Sequence, residues 1–406
     1  MNNFKTYSFI ILSSLFVFLY LAELYLTLFL YNGGEGRSDP ELKEKKLIYK
    51  KLTGKEYDIR KKINVYKDYL IDEKNTSIAL HAYHASKSNS FYLSGVSKSN
   101  TINCNENGYF SKYFSDRYGF NNPDKEWDQN EITYLLVGDS HVHGACVNRP
   151  DDISSVLRKI SGQPVINLGF NGNGPLTAYA SLREYMPKNV KNILWFFYEG
   201  NDIIDLRSET TKPTLTKYIN DKNFSKDLRF NQKKVDRFQK NIIKETIKQR
   251  EELEIYWSKY YSKKKKFLRF LRLNQSKNFL ATFQKQSKRE DNFTFDLNKF
   301  KETLLAAKQL AQQNGSNFYF VYLGTYSRYK SPHFNINPYI KNYPRIIKIV
   351  NDLGIRIIDI NKDSFLKDQD PLKYFPFRER GHYNVEGYKK ITELIYHKIR
   401  IIEASK

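Results

Sequence analysis

Apolar residues along most of the chain alternate between two rhythms. Ile132-Thr-Tyr-Leu-Leu-Val137 is a short, nearly continuous apolar run ending at Gly138, as a strand buried on both faces does. Asp152–Ile160 follows with helical spacing and an aspartate at its start. Val165–Leu168 reads as a second strand, Leu176–Met186 as a second helix and Asn192–Tyr198 as a third buried strand. The alternation resumes at Leu297 with a helix to Gln313. Phe300, Leu304, Leu305, Ala307 and Leu310 lie near one face of it, and Asn314-Gly315 ends it. A strand at Phe318–Leu323, a helix at Ile346–Leu353 stopped by Gly354, a strand at Ile355–Ile360 and a closing helix at Val385–Ile399 complete the series. Such alternation predicts an α/β fold whose parallel sheet is covered on both faces, with ligands at the carboxyl ends of the strands.

The N-terminus has a different pattern. Tyr7–Tyr31 is almost unbroken apolar sequence, long enough at about 1.5 Å per residue to cross a bilayer with some tilt. Tyr20, Tyr25 and Tyr31 lie in its second half, and Glu23 is its one acidic residue. The run exceeds a usual signal-peptide core, and no Ala-x-Ala-like site follows. An uncleaved signal anchor is therefore expected, with a cleaved signal peptide as the alternative. Lys5 precedes the span while Arg37, Lys43, Lys45 and Lys46 follow it, which taken literally would leave the large domain in the cytoplasm. Long domains translocate regardless of nearby charge, so a periplasmic or otherwise extracytoplasmic placement rests on the cysteines and the chemistry below. The expected divisions are 1–32 for the anchor, 33–122 for a linker and N-terminal extension, 123–205 and 293–406 for the two parts of the core, and 206–292 for an insertion.

Charge sharpens the view of that insertion. From Leu206 to Asp291 there are 24 Lys or Arg against 10 Asp or Glu, a surplus of 14 within the chain's net +23. Lys263–Lys266 run into Phe-Leu-Arg-Phe-Leu-Arg-Leu, where Phe267, Phe270 and Leu271 share a helical face. The combination suits a membrane interface or an acidic polymer, or else a cap packed on its own enzyme with solvated lysines outside. No zinc-finger spacing or RNP-type motif accompanies the charge, so nucleic acid is not expected as a partner. Two cysteines, Cys104 and Cys146, cannot make a four-thiolate metal site. In an oxidising compartment they would pair and brace the segment before Ser140 to the one after it; two free buried thiols are the alternative.

Four loops carry candidate chemistry. Gly138-Asp139-Ser140 follows the first core strand and lifts a hydroxyl into the crevice, with the Ser140 amide facing a developing oxyanion. Asn167-Leu-Gly169-Phe-Asn-Gly172-Asn-Gly174 follows the second, and its glycines let backbone amides approach a substrate oxygen. Gly200-Asn201-Asp202 follows the third; the Asn201 amide can donate to the same oxyanion and Asp202 can brace the loop. Glu379-Arg-Gly-His382-Tyr-Asn384 precedes the last helix, where an imidazole could take the Ser140 proton and return it to a leaving group. Each alone is an ordinary turn or loop.

In this order and strand context, the four resemble the SGNH (GDSL-like) hydrolase superfamily over about Glu131–Asp202 and Phe293–Ile399. The resemblance implies a flavodoxin-like three-layer α/β/α fold, here with an N-terminal transmembrane helix and a basic helical insertion. It implies Ser140 as nucleophile, His382 as base, and the Ser140 amide, Gly172 and Asn201 as oxyanion donors, with Gly169 the competing glycine. The superfamily usually has aspartate three residues before the histidine, or two in some branches; here Glu379 and Arg380 occupy those places. Glu379 is the expected acid, with a Ser-His dyad as the alternative. Asp139 and Asp202 are expected as supporting residues, and His141 as a structural or substrate-contacting one. His141 and His143 with no third ligand do not make a metal site, and neither metal nor cofactor is expected. The implied activity is hydrolysis or transfer of an ester-linked acyl group, acetyl above all, on a carbohydrate or cell-envelope glycan. The alternatives are a lipid-directed esterase at the membrane surface and a non-catalytic glycan-binding or assembly protein on a degenerate fold.

Overall fold

The structure, a computed structural model, describes residues 2–26, 40–80, 92–260, 268, 270–277, 280, 292–330 and 338–405. Two compact units emerge, one of Met1–Lys43 with Thr246–Phe295 and one of Glu44–Glu245 with Asp296–Lys406. Three short strands, β1 (Thr76–Ile78), β2 (Asn100–Ile102) and β3 (Lys112–Phe114), open the larger unit, with β1 parallel and β3 antiparallel to β2. The main sheet comprises β4 (Ile132–Val137), β5 (Val165–Asn167), β6 (Val190–Tyr198), β7 (Asn317–Leu323) and β8 (Arg356–Asp359). Its order is β5-β4-β6-β7-β8 and every pairing is parallel. That is the flavodoxin-like order, with its topological switch point beside β4.

Alternation within the strands builds the layers, because successive side chains leave opposite faces of a sheet. Tyr134, Leu136, Leu194, Phe196, Tyr319 and Val321 join one buried cluster with Leu157 of the Ile153–Ser161 helix and Tyr388, Ile391, Ile395 and Ile399 of the Val385–Ala404 helix. Phe197 and Phe320 point the other way and meet Phe300 of the Asn292–Gln313 helix, with ring centroids 5.2 and 6.2 Å from it. The main sheet is thus covered on both faces, as the continuous apolar runs require.

Part of the segment read as an insertion belongs to this unit. Val235, Gln239 and Ile243 of the Gln232–Tyr260 helix are buried. Asp236 accepts from the Ser97 amide and hydroxyl, and Gln239 donates to the Ser94 carbonyl.

The smaller unit contains the Asn2–Tyr25 helix, whose Thr6–Tyr25 stretch is long and apolar enough to cross a membrane. Within this unit Tyr20 donates to the Leu271 carbonyl. The Glu23 carboxylate accepts from the amides of Gln275 and Ser276 and from the Ser276 hydroxyl at 2.7–2.8 Å. The one acidic side chain of the apolar segment is therefore hydrogen-bonded three times, which offsets much of the cost of its burial. The end of the expected span at Tyr31, the Lys263–Lys266 run with Phe267 and Arg269, and His81, His84 and His333 lie outside the described residues.

Candidate active site

The switch point places three loops side by side. β4 lies between β5 and β6, so the Ser140 loop is flanked by the Gly172 loop and the Asn201 loop. At the end of β4 the chain turns at Gly138, where a Cβ would come within 2.6 Å of Val142 and 3.1 Å of Phe196. No larger residue fits that turn. Asp139 then caps the Ser140–His143 helix by accepting from the His141 amide at 2.9 Å.

Ser140 Oγ lies 2.9 Å from His382 Nε2. The two residues are 242 positions apart and are brought together by independent elements. His382 stands in the loop before the Val385–Ala404 helix, which Asn384 caps by accepting from the Gly387 amide. Tyr383 anchors the same loop to the end of β7 through its hydroxyl, which donates to the Gly324 carbonyl at 2.5 Å.

The carboxylate on the far side of the imidazole is a correction to the sequence expectation. Glu379 does not reach His382. Its backbone is extended at φ −118° and ψ 167°, and its carboxylate accepts from the Tyr326 hydroxyl at 3.1 Å and from Lys330 at 3.4 Å. Glu106 takes the place instead. Its Oε1 lies 3.0 Å from His382 Nδ1, and its Oε2 accepts from the His382 amide at 2.5 Å. A carboxylate only accepts, so Nδ1 carries a proton and Nε2 is left to accept from Ser140. Gly381 admits this approach, since a Cβ there would sit 2.7 Å from Glu106 Oε2.

Burial alone would raise the Glu106 carboxyl, but the facing imidazole, its hydrogen bonds and Lys45 hold it at about 2. Burial likewise pulls His382 down, and the Glu106 charge overrides it, leaving the imidazole above its usual value.

Glu106 comes from the β2–β3 connection, in a segment without apolar periodicity. A disulfide joins Cys104, two residues before it, to Cys146, six residues after Ser140. The two cysteines therefore pair as the oxidising-compartment alternative expected. Pairing them also forces Glu106 toward the serine loop, and that was the one signal in the sequence for its position.

The remaining candidates are arranged around the dyad. His141 is 3% exposed, with its ring 3.9 Å from that of Tyr198 and 4.8 Å from that of His382; its Nδ1 lies 3.3 Å from Asp139. It underlies the His382 imidazole and has almost no surface to offer a substrate. His143 is occupied at both nitrogens, by Asn171 Oδ1 and the Tyr113 hydroxyl at 2.9 Å each. Burial chiefly lowers its imidazole to about 4, so it is neutral at physiological pH.

Asp202 accepts from the Tyr198 amide at 3.0 Å and closes the turn that carries Asn201. Asp139 and Asp202 are pushed apart electrostatically. Burial opposes ionisation of Asp139, but His141 and its hydrogen bonds hold the carboxyl below its usual value. Burial, and then the Asp139 charge, drives Asp202 well above it. The two carboxyls are thus displaced in opposite directions, Asp139 toward ionisation and Asp202 away from it.

Among the candidate oxyanion donors, the Gly169 amide is committed to Asn167 Oδ1 at 2.8 Å and the Gly174 amide to Glu209 at 2.8 Å. Gly172, in the turn between them, is the glycine that remains. Asn201 donates one amide proton to Asp205 at 2.7 Å, which aims the side chain and leaves its second proton for a substrate oxygen. Replacing Asp205 by Ala is expected to lower kcat about tenfold with little change in KM, as a misaimed oxyanion donor would. Steady-state kinetics on a soluble ester checks this.

Behind the Asn201 loop, Glu199 draws the ends of β6 and β7 together. Its carboxylate is fully buried, pairs with Arg328, and accepts from the Tyr322 hydroxyl at 2.5 Å and the Thr325 amide at 2.7 Å. Arg328→Ala leaves that charge buried without its cation, which costs roughly 3–5 kcal/mol. Urea unfolding should show that loss.

No family profile matches the sequence, and no curated protein does. Several solved structures are similar to it, among them two that it covers almost end to end. One is a protein from Desulfitobacterium hafniense DCB-2 assigned to the lipolytic G-D-S-L family, at 13% identity over 65% of this chain and 98% of that one, with a TM-score of 0.36. The other is the acetyl xylan esterase AlAXEase, at 14% identity over 66% of this chain and 100% of that one, with a TM-score of 0.37.

Proposed function

We propose that this chain is a serine esterase or O-acyltransferase of the SGNH type, acting on acyl esters, acetyl above all, of a cell-envelope glycan. The observation that carries the proposal is the hydrogen-bonded chain Ser140–His382–Glu106 at the carboxyl end of a parallel sheet. Ser140 Oγ attacks the ester carbonyl while His382 Nε2 takes its proton. Glu106 steadies the imidazolium through Nδ1. The oxyanion is met by the Ser140 and Gly172 amides and the Asn201 side chain. Collapse transfers the proton from His382 to the departing alkoxide and leaves the acyl group on Ser140. Water activated by the same imidazole releases the acid; a sugar hydroxyl in its place makes the step a transfer.

Two features support an envelope setting. The Thr6–Tyr25 helix suits a membrane anchor, with the larger unit outside the cytoplasm where a disulfide persists. Lys233, Arg237, Lys240 and Lys244 line an open groove on the Gln232–Tyr260 helix, with Asp236 the one acid among them, a field suited to an acidic polymer. Acetate release from O-acetylated acidic polysaccharide tests the proposal. Fatty-acid release from phospholipid vesicles instead would transfer the same chemistry to a lipid substrate. Failure of the wild-type chain to react with a fluorophosphonate would leave the non-catalytic alternative.

A further inference from the structure

We infer that the Cys104–Cys146 disulfide is a positioning element of the catalytic chain, which sets Glu106 against His382 while Ser140 and His382 keep their places without it. The inference rests on the hydrolytic function proposed above. Ser140 is placed by β4 and the Asp139 cap, and His382 by Tyr383 and the cap of the final helix. The Cys104 segment adds to them only Glu106 itself, which accepts from the His382 amide.

Glu106 rides on a turn held from outside the catalytic loops by the Asp58 backbone, which accepts from Asn105 at 2.7 Å and donates to the Gly108 carbonyl at 2.9 Å. It sits at the tip of the β2–β3 connection, which is closed on itself by the Ser111 amide to the Cys104 carbonyl and the Gly108 amide to Asn105. Three ties hold that tip to the catalytic loops: the disulfide, Asn107 donating to the Cys146 carbonyl at 2.9 Å, and Asn171 donating to Asn103 at 2.6 Å. Glu106 and His382 are each 26% exposed at the side chain. One carboxylate–imidazole contact gains less than it costs to order a turn of several residues. The covalent tie decides the geometry, and the Cys146 sulfur itself lies 4.0 Å from His382 Nδ1.

The test uses the full chain in detergent. A dithiol reductant gives two electrons and two protons to the S–S bond, yielding two thiols while closing to its own cyclic disulfide. Because Cys146 is buried, a Cys104→Ser/Cys146→Ser variant runs beside the reduced protein. Both should lose on the order of 100-fold in kcat, approaching the Glu106→Gln level. The acid limb of kcat/KM should move to lower pH in both, and reoxidation should restore the wild-type values. In Glu106→Gln, reduction should change kcat less than about twofold, since the tie acts through a group already removed.

Unchanged kcat and pH limb in the thiol form would overturn the inference. So would equal slowing of the wild type and Glu106→Gln, or loss of near-ultraviolet dichroism on reduction, each of which marks a general structural brace. An NMR titration of His382 separates failure of the inference from failure of the proposed function. Its imidazole should titrate lower in the thiol form whether or not the protein turns over an ester, and an unchanged titration would overturn the positioning role by itself.

Discussion

Ser140→Ala should lower kcat for ester hydrolysis by on the order of 10⁴- to 10⁶-fold and abolish fluorophosphonate labelling. The variant has no atom on which an acyl-enzyme can form. His382 and the oxyanion donors can then only assist direct attack by water, so a residual rate above the uncatalysed one should persist. His382→Ala should cost a similar factor, and the double variant little more than either single, because the two groups act in one step. The fold should be almost indifferent to the serine change. Ser140 Oγ faces His382 and, at 3.5 Å, Asp139, so truncation to Ala removes no apolar core contact. Thermal unfolding of wild type and variant should therefore agree within a few degrees. A shared midpoint with a collapsed rate identifies chemistry rather than stability as the loss. Equal acetate release by wild type and Ser140→Ala would remove the serine mechanism.

What was legible in the sequence follows from where periodicity exists. Apolar runs such as Ile132–Val137 and Asn192–Tyr198 can be buried on both faces only as central strands, so the parallel sheet and its loop order were readable. Ser140, Gly172 and Asn201 are each fixed by the end of such a strand. His382 is fixed by the start of a long amphipathic helix. Nothing comparable announces Glu106. Its neighbours are Asn, Cys and Gly, which form turns, and β2 and β3 on either side are only three residues long. A turn has no face, so its side chains acquire direction only from tertiary ties, here a disulfide, three asparagine bonds and the Asp58 amide on the Gly108 carbonyl.

Glu379 shows the converse. Proximity of three residues along the chain placed it near His382 in sequence, yet one extended backbone conformation turns its carboxylate to Tyr326 and Lys330. The Gln232–Tyr260 helix shows a third limit. Its net charge suggested a separate insertion, while the buried Val235, Gln239 and Ile243 embed its first half in the larger unit. Charge describes the outer face of a helix and does not report what the inner face meets.

Glu106→Gln should lower kcat by on the order of 10²- to 10⁴-fold, while Glu379→Gln should stay within about threefold of wild type. Gln keeps the size of Glu and still has one oxygen to accept from the His382 amide. It removes the charge that stabilises the imidazolium formed when Ser140 loses its proton. Its amide can also favour the tautomer with the proton on Nε2, which cannot accept from Ser140. The pH profile separates these effects from misfolding. His382 must be neutral to act as base, so the acid limb of kcat/KM follows its ionisation. In the wild type Glu106 holds that ionisation above the usual histidine value, and the limb should lie above about pH 6.5. Without the Glu106 charge, burial is the chief influence left, it disfavours the imidazolium, and the limb should move to lower pH. The activity lost near neutrality should therefore shrink relative to wild type as the pH is lowered, since the wild-type base is protonated first. A limb that stays in place in Glu106→Gln, or one that moves instead in Glu379→Gln, would return the acid to the loop before His382.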